Sequence, residues 1–259
     1  MPLGFPDPPH ARALSPDVQA ALRNLYQTFS PYTPRDLEPS WREFWHPAEQ
    51  AAIEALPVRG LPDDLMGVVL AHMVSVYGGA QGLKYFLPRL LEVTVESPLR
   101  EGMIAVLRRA YQVELWSWPE VERASVTRFL RAWWQQCLEE PVNFNTWPVE
   151  DALCAAAFAL DDLSPLLIAW ARDERLNATL HITNTPRLHL SEENGELKLQ
   201  PFWEQRPLQA EQVHDWLLSL GALERLTQEL HLHKTKKALP DARVWECRSH
   251  SLSGSVPAY

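Results

Sequence analysis

The sequence predicts a mainly α fold, a compact single-domain array of about nine helices with at most one small β-hairpin. Three observations predict it. Eight of the 22 prolines stand where a helix would begin, in Ser15-Pro16, His46-Pro47, Leu61-Pro62, Ser97-Pro98, Trp118-Pro119, Trp147-Pro148, Ser164-Pro165 and Arg206-Pro207. Proline suits a first helical position because its missing N–H would be an orphan there and its φ is already near the helical value. Acidic residues follow six of these prolines closely, as at Asp17, Glu49, Asp63, Glu101, Glu120 and Glu150, where carboxylates favour the positive end of the helix dipole. Apolar residues then recur at helical spacing through most of the chain.

Element by element, residues 1–14 read as a flexible lead-in. Val18, Leu22, Leu25, Tyr26 and Phe29 form the first helical stripe, with Ser15 as its cap. Residues 30–46 read as irregular, anchored by Trp41, Phe44 and Trp45, and a short helix follows over roughly 47–56. Residues 63–77 are apolar on nearly every side, which places that helix at the centre of the domain. Pro88 would clash with the carbonyl four residues back, so a helix starts or kinks there.

Leu99, Met103, Ile104, Leu107 and Ala110 mark a helix over 98–111. The clearest partition is at 119–139. Val126, Phe129, Leu130, Trp133, Trp134, Cys137 and Leu138 form one face, and Arg128, Arg131, Gln135, Gln136 and Glu139 form the other. Helices over 148–160 and 164–172 are separated only by Asp161-Asp162-Leu163, which predicts nearly antiparallel neighbours. Residues 178–204 break the helical pattern. Within them, Leu188 and Leu190 precede Asn194-Gly195, and Leu197 and Leu199 follow it, predicting a short hairpin near 187–203. Helical spacing resumes over 209–220 and at Leu223, Leu226 and Leu230. The domain spans 15–244, and 245–259 reads as a flexible Ser/Gly/Pro-rich tail.

Composition excludes several function classes. The chain is 46% apolar and carries 11 tryptophans, which argues for a substantial core and against disorder throughout. A net charge of −9 disfavours general binding to nucleic acid and suits a basic protein partner. Cys137, Cys154 and Cys247 are widely spaced and odd in number, so they predict no disulfide framework and a reducing compartment. The N-terminus lacks the basic-then-apolar run of a signal peptide, and no apolar stretch reaches the ~18 residues of a membrane span. The expectation is a cytoplasmic protein.

Catalytic motifs do not emerge. There is no P-loop, G-x-G-x-x-G or G-x-S-x-G, and the chain has only ten glycines. His231 and His233 would share a face only in a strand and would still need further ligands, so no metal and no cofactor is expected. Lys234–Lys237 reads as a solvated helix end. Adjacent acids such as Asp161-Asp162 diverge on a helix and do not by themselves form an acid/base pair. Arg89 stands out as a charge within Phe86-Leu87-Pro88-Arg89-Leu90-Leu91, with Glu92 three positions on. A charge in such a run is expected to be partly buried and bonded to an acid or to carbonyls. Arg89 and Glu92, with Asp161 and Asp162, are the candidate binding residues.

Three segments taken together carry a resemblance. They are Tyr85-Phe86-Leu87-Pro88-Arg89-Leu90-Leu91-Glu92; Trp118-Pro119 followed by Phe129-Leu130-Arg131-Ala132-Trp133; and Asp161-Asp162-Leu163-Ser164-Pro165 leading to Ala169-Trp170. Over roughly 62–220 the chain resembles a family of bacterial hypothetical proteins with a Phe-Leu-Pro-Arg helix start. The resemblance implies a compact helical fold and supplies no activity and no catalytic residues.

The expected function is therefore that of a non-enzymatic interaction protein. It would be an adaptor or inhibitor, in one concrete form an immunity-type protein, binding a basic protein partner through an acidic surface. The alternative is a hydrolase-like enzyme with a dispersed site built from His72 or His181 and from Asp161 and Asp162.

Overall fold

Proline and capping chemistry set most of the helix starts. The computed structural model describes residues 13–34, 45–75, 79–96, 102–142, 148–193, 196–199, 203, 205–217 and 219. Among them are ten helices: α1 (Pro16–Thr28), α2 (Pro47–Ala55), α3 (Asp63–Ser75), α4 (Ala80–Glu96), α5 (Gly102–Gln112), α6 (Glu120–Glu139), α7 (Pro148–Ala159), α8 (Ser164–Arg172), α9 (Leu176–His189) and α10 (Pro207–Leu217). Single 3₁₀ turns lie at Val58–Gly60 and Leu115–Ser117. The mainly α array is thus the observed fold.

The Ser15 Oγ accepts from the Val18 N–H at 3.3 Å, and Glu49 Oε2 accepts from the His46 N–H at 2.9 Å. Each satisfies a donor that the first helical turn leaves unpaired. Asp162 Oδ1 does the same for the Ser164 N–H at 2.8 Å. The starts of α1, α2, α3, α6, α7, α8 and α10 fall within two residues of the expected prolines. Pro98 lies outside the described residues, and α5 is described from Gly102 onward.

Pro88 does not start a helix. It sits inside α4, which begins at Ala80. Proline in a helix interior costs about 3 kcal/mol. Fully burying a large apolar side chain returns roughly 1.5–3 kcal/mol each. Phe86, Leu87, Leu90 and Leu91 are all at most 1% exposed, so packing on both sides of Pro88 outweighs the lost hydrogen bond.

The helix at the centre is also not the one expected. All seven residues 152–158 of α7 are buried, and α7 packs against both α5 and α6. Its alanines and Cys154 are small, which lets helix axes approach closely. In α3, by contrast, Leu65, Met66 and Val69 are buried while Gly67 and Ala71 are exposed. An all-apolar helix has no polar face to set its rotation, so its neighbours α4 and α5 decide which side is covered. The short Asp161–Leu163 connection does not make α7 and α8 close partners either. α8 packs on α6 and α10.

On α6 the expected apolar face is buried: Phe129 is 0% exposed, Leu130 1% and Trp133 6%. Gln136 departs from the expected polar face. It is buried because its Oε1 accepts from the Ser15 N–H at 2.9 Å, tying the start of α1 to α6.

The expected break at 178–204 begins too early, since α9 runs to His189. Its Asn and Thr residues are weak helix formers. Yet Ala178, His181 and Ile182 are buried at spacings of three and four, one side of a helix. Beyond α9, β1 (Leu190–Glu193) and β2 (Glu196–Leu199) pair antiparallel from Leu190↔Leu199 to Glu193↔Glu196. One apolar cluster runs from Val18 of α1 to Leu217 of α10. Trp134 meets Trp170 edge-on at 5.4 Å, and Trp170 stacks on Trp216 at 4.9 Å. The expectations for Trp41, Phe44, Cys247, His231, His233, Lys234–Lys237, the lead-in before residue 13, a helix near 223–230 and the tail lie outside the described residues.

Candidate functional site

Arg89 lies on α4, one turn before Glu92, so the two side chains share a face. The Arg89 side chain is only 12% exposed. Its guanidinium reaches three elements at once. Nε donates to the Leu61 carbonyl at 3.0 Å, Nη1 donates to Glu92 Oε2 at 2.7 Å, and Nη2 pairs with Asp63 at the start of α3. Only a planar fork with several fixed donors can do this. Burial works against the Arg89 charge, but Glu92 and Asp63 outweigh it and hold the guanidinium more firmly protonated.

Glu92, 7% exposed, is the acceptor at the centre. Besides Arg89 it takes the Tyr26 hydroxyl from α1 at 2.7 Å and Arg59 from the 3₁₀ turn at 3.3 Å. Arg59 also lies over the Tyr26 ring, 5.2 Å from its centroid. Burial first, then the hydrogen bond to Glu92, pushes the Tyr26 phenol far above its ordinary range. One turn further on, burial and the Glu92 charge raise the Glu96 carboxyl. The cluster therefore joins α1, the 3₁₀ turn, α3 and α4, with both Glu92 oxygens engaged.

A second buried pair lies on the same helix. Lys84 Nζ meets Glu122 Oε2 of α6 at 2.8 Å, each side chain being 7% exposed. The Tyr32 hydroxyl donates to Glu122 Oε1 at 2.6 Å, and Lys84 lies over the rings of Tyr32 and Trp118. Between the two clusters lies a cleft of about 470 Å³, lined in part by Tyr26, Phe29, Tyr32, Tyr85 and Pro88.

Asp161 and Asp162 are not brought to Arg89 and Glu92 by any of these bonds. Asp162 caps α8, and its hydrogen bonds from Ser164 lower its carboxyl below the usual range. Asp161 is 94% exposed and lies 3.6 Å from Arg206. Arg206 is itself committed to the end of α7, donating from Nε to the Ala157 carbonyl at 2.6 Å and from Nη2 to the Leu160 carbonyl at 3.3 Å. Gln209 adds bonds to the Leu160 and Asp161 carbonyls. A cation there also favours the negative end of the helix dipole.

His181 closes the end of α6 in the same manner. Its Nε2 is 2.9 Å from the Glu140 carbonyl oxygen, and burial lowers its pKa so that the neutral ring is favoured. His72 is in α3, but its side chain is outside the described residues. His181 and Asp161 thus bond to different elements. Among the described residues no group of three or more His, Cys, Asp or Glu could hold a metal ion.

No family model matches this chain, and comparison with curated proteins and with solved structures found no match.

Sequence reasoning passed over Lys84, although Leu83-Lys84-Tyr85-Phe86-Leu87 carries the same signal as the run around Arg89: a charge with no polar face beside it. Arg206, Gln209 and Asn177 had no such signal. Their partners are backbone carbonyls 38 to 49 positions away.

Proposed function

We propose that this protein acts by binding a basic protein partner through its acidic surface, as an adaptor or inhibitor, an immunity-type protein being one concrete form. The observation that carries the reading is where the charges sit. Lys84, Arg89 and Arg206 are only 7%, 12% and 11% exposed and are bonded within the fold, while Asp161, Asp215 and Asp63 stand 94%, 72% and 64% exposed. Inside the fold Lys84 and Arg89 are cancelled by the equally buried Glu122 and Glu92, so the acid excess of a chain whose net charge is −9 is carried by outward-facing residues such as these aspartates. Such a surface steers a cationic partner and raises its association rate.

The test is to isolate the partner by cross-linking in the native host and then measure association at low and high ionic strength. The rate should fall steeply as salt screens the exposed charges. Asp161→Asn with Asp215→Asn should reproduce part of that fall at low salt. Association that ignores both salt and these substitutions would remove the reading.

A further inference from the structure

One side of α6 packs on α1 and α7, and the other faces solvent. On that outer side Val121, Ala124, Arg128, Arg131 and Gln135 follow one another at alternate steps of three and four, which makes one continuous seam. All five are exposed, Val121 at 66%. Arg123, also exposed, flanks the seam. At 1.5 Å per residue the three arginines cover about 12 Å of the helix.

Three further observations define what would dock there. First, the cations are unused. The guanidinium groups of Arg123, Arg128 and Arg131 have no ion pair, hydrogen bond or ring contact among the described residues. Arg59, Lys84, Arg89, Arg175 and Arg206, by contrast, are all paired with carboxylates. Second, the arrangement works against the helix. Arg128 and Arg131 stand three apart, where like charges repel. Arg123 lies close to the N-terminal end, where the dipole disfavours a cation. The chain holds 33 acidic residues, yet none of the described ones bonds to these groups. An anionic group laid along the seam relieves both conflicts. Third, the seam is cationic at one end and aliphatic at the other. The planar fork of arginine takes a carboxylate through two parallel hydrogen bonds. Val121 and Ala124 offer contact to an apolar side chain and little to a sugar–phosphate backbone. The exposed Glu120 stands near Arg123, and a net charge of −9 repels an anion that runs far beyond the strip. Together these features favour a short acidic stretch of polypeptide over a long polyanion such as RNA.

We propose that the outer face of α6 docks a short acidic segment of a partner protein, its carboxylates held by Arg128 and Arg131 with Arg123 at the flank, and an apolar side chain of the segment resting on Val121. This surface is opposite in sign to the exposed aspartates and shares no residue with them, so it stands or falls independently of the basic partner.

The probe for the full chain is the dye-labelled octapeptide Glu-Glu-Leu-Glu-Glu-Leu-Glu-Glu, followed by fluorescence anisotropy at low salt. It should bind saturably at one site. Arg128→Gln with Arg131→Gln should weaken it by about tenfold or more, with an unchanged circular dichroism spectrum. Arg128→Lys with Arg131→Lys keeps the charge but loses the fork and should weaken it about threefold. Val121→Ser should also weaken it about threefold. Arg23→Gln with Arg108→Gln removes the same charge from α1 and α5 and should leave the affinity unchanged. Octauridylate, a single-stranded RNA, should bind at least about tenfold more weakly than the peptide. Non-saturable peptide binding, an unaffected glutamine pair on α6, or an equal loss from the pair on α1 and α5 overturns the proposal. Should the glutamine pair on α6 fail to fold, Arg128→Ala is read instead, and unchanged affinity there overturns it equally. A lysine pair that binds like the wild type overturns the assigned carboxylate fork. An unaffected Val121→Ser, or octauridylate binding as tight as the peptide, overturns the assignment to a polypeptide.

Discussion

Replacing Arg89 separates its charge from its shape. In Arg89→Met the Glu92 carboxylate, 7% exposed, loses its best donor. Removing one member of a buried pair costs about 3–5 kcal/mol when nothing replaces it. Two donors remain here. The Tyr26 hydroxyl stays at 2.7 Å, and Arg59 stays at 3.3 Å but is 63% exposed and therefore screened. The lower end of the range, about 3 kcal/mol, is the expected loss. Arg89→Lys keeps a cation opposite Glu92 but cannot also reach the Leu61 carbonyl and Asp63. The Asp63 contact is solvent-facing and counts for little, so the cost is near one net hydrogen bond, about 1 kcal/mol. Urea unfolding followed by tryptophan near-UV circular dichroism measures both. With a slope of about 3 kcal/mol/M, the Met variant should shift its midpoint by about 1 M and the Lys variant by a third of that. Replacing Arg89 and Glu92 together by methionine should recover much of the single-mutant loss, since no unpaired charge is left buried. Equal midpoints for Arg89→Met and Arg89→Lys would refute the bonding assigned to the fork.

The remaining expectations concern packing, backbone and pH. Phe129→Ala removes a side chain that is 0% exposed and should cost about 3–5 kcal/mol, while Arg128→Ala on the solvent side of α6 should cost less than about 0.5; comparable urea midpoints would show that the faces are misassigned. Gly67 has open space where a Cβ would go, so Gly67→Ala should stabilise α3 by about 0.5–1 kcal/mol, whereas a Cβ at Gly102 would lie 2.7 Å from Thr94 Cγ2 and should destabilise by about 1–2 kcal/mol; thermal midpoints moving in the same direction would contradict this. Burial depresses the His181 pKa, so protonation favours the unfolded chain. This contribution to stability is fully present above the unfolded value of about 6.5 and is lost as pH falls through the folded one. His181→Gln should flatten that part of the pH–stability curve; an NMR titration of the ring showing an ordinary pKa would remove the effect, and a raised one would reverse its sign.

What could be read from the sequence was local chemistry. Proline at a first turn, Ser15 as a cap and the stripe centred on Phe129 each act through neighbours within a few residues, so spacing alone reveals them. The Arg89–Glu92 contact belongs to the same kind, because positions three apart meet on any helix. What only the tertiary structure decided was everything lacking such a local reference. α3 and α7 are both apolar on most sides, and nothing in either segment says which is wrapped; the small side chains of α7 let α5 and α6 close on it. α4 runs through Pro88 because the burial of Phe86, Leu87, Leu90 and Leu91 exceeds the cost of one missing hydrogen bond. The cleft depends on Tyr26 and Tyr32, whose hydroxyls are held by Glu92 and Glu122 on separate helices. The ends of α6 and α7 are closed by His181 and Arg206, residues that bond carbonyls far away in the chain, and a carbonyl is offered equally by every residue, so no pattern of residue types could have marked those partners in advance.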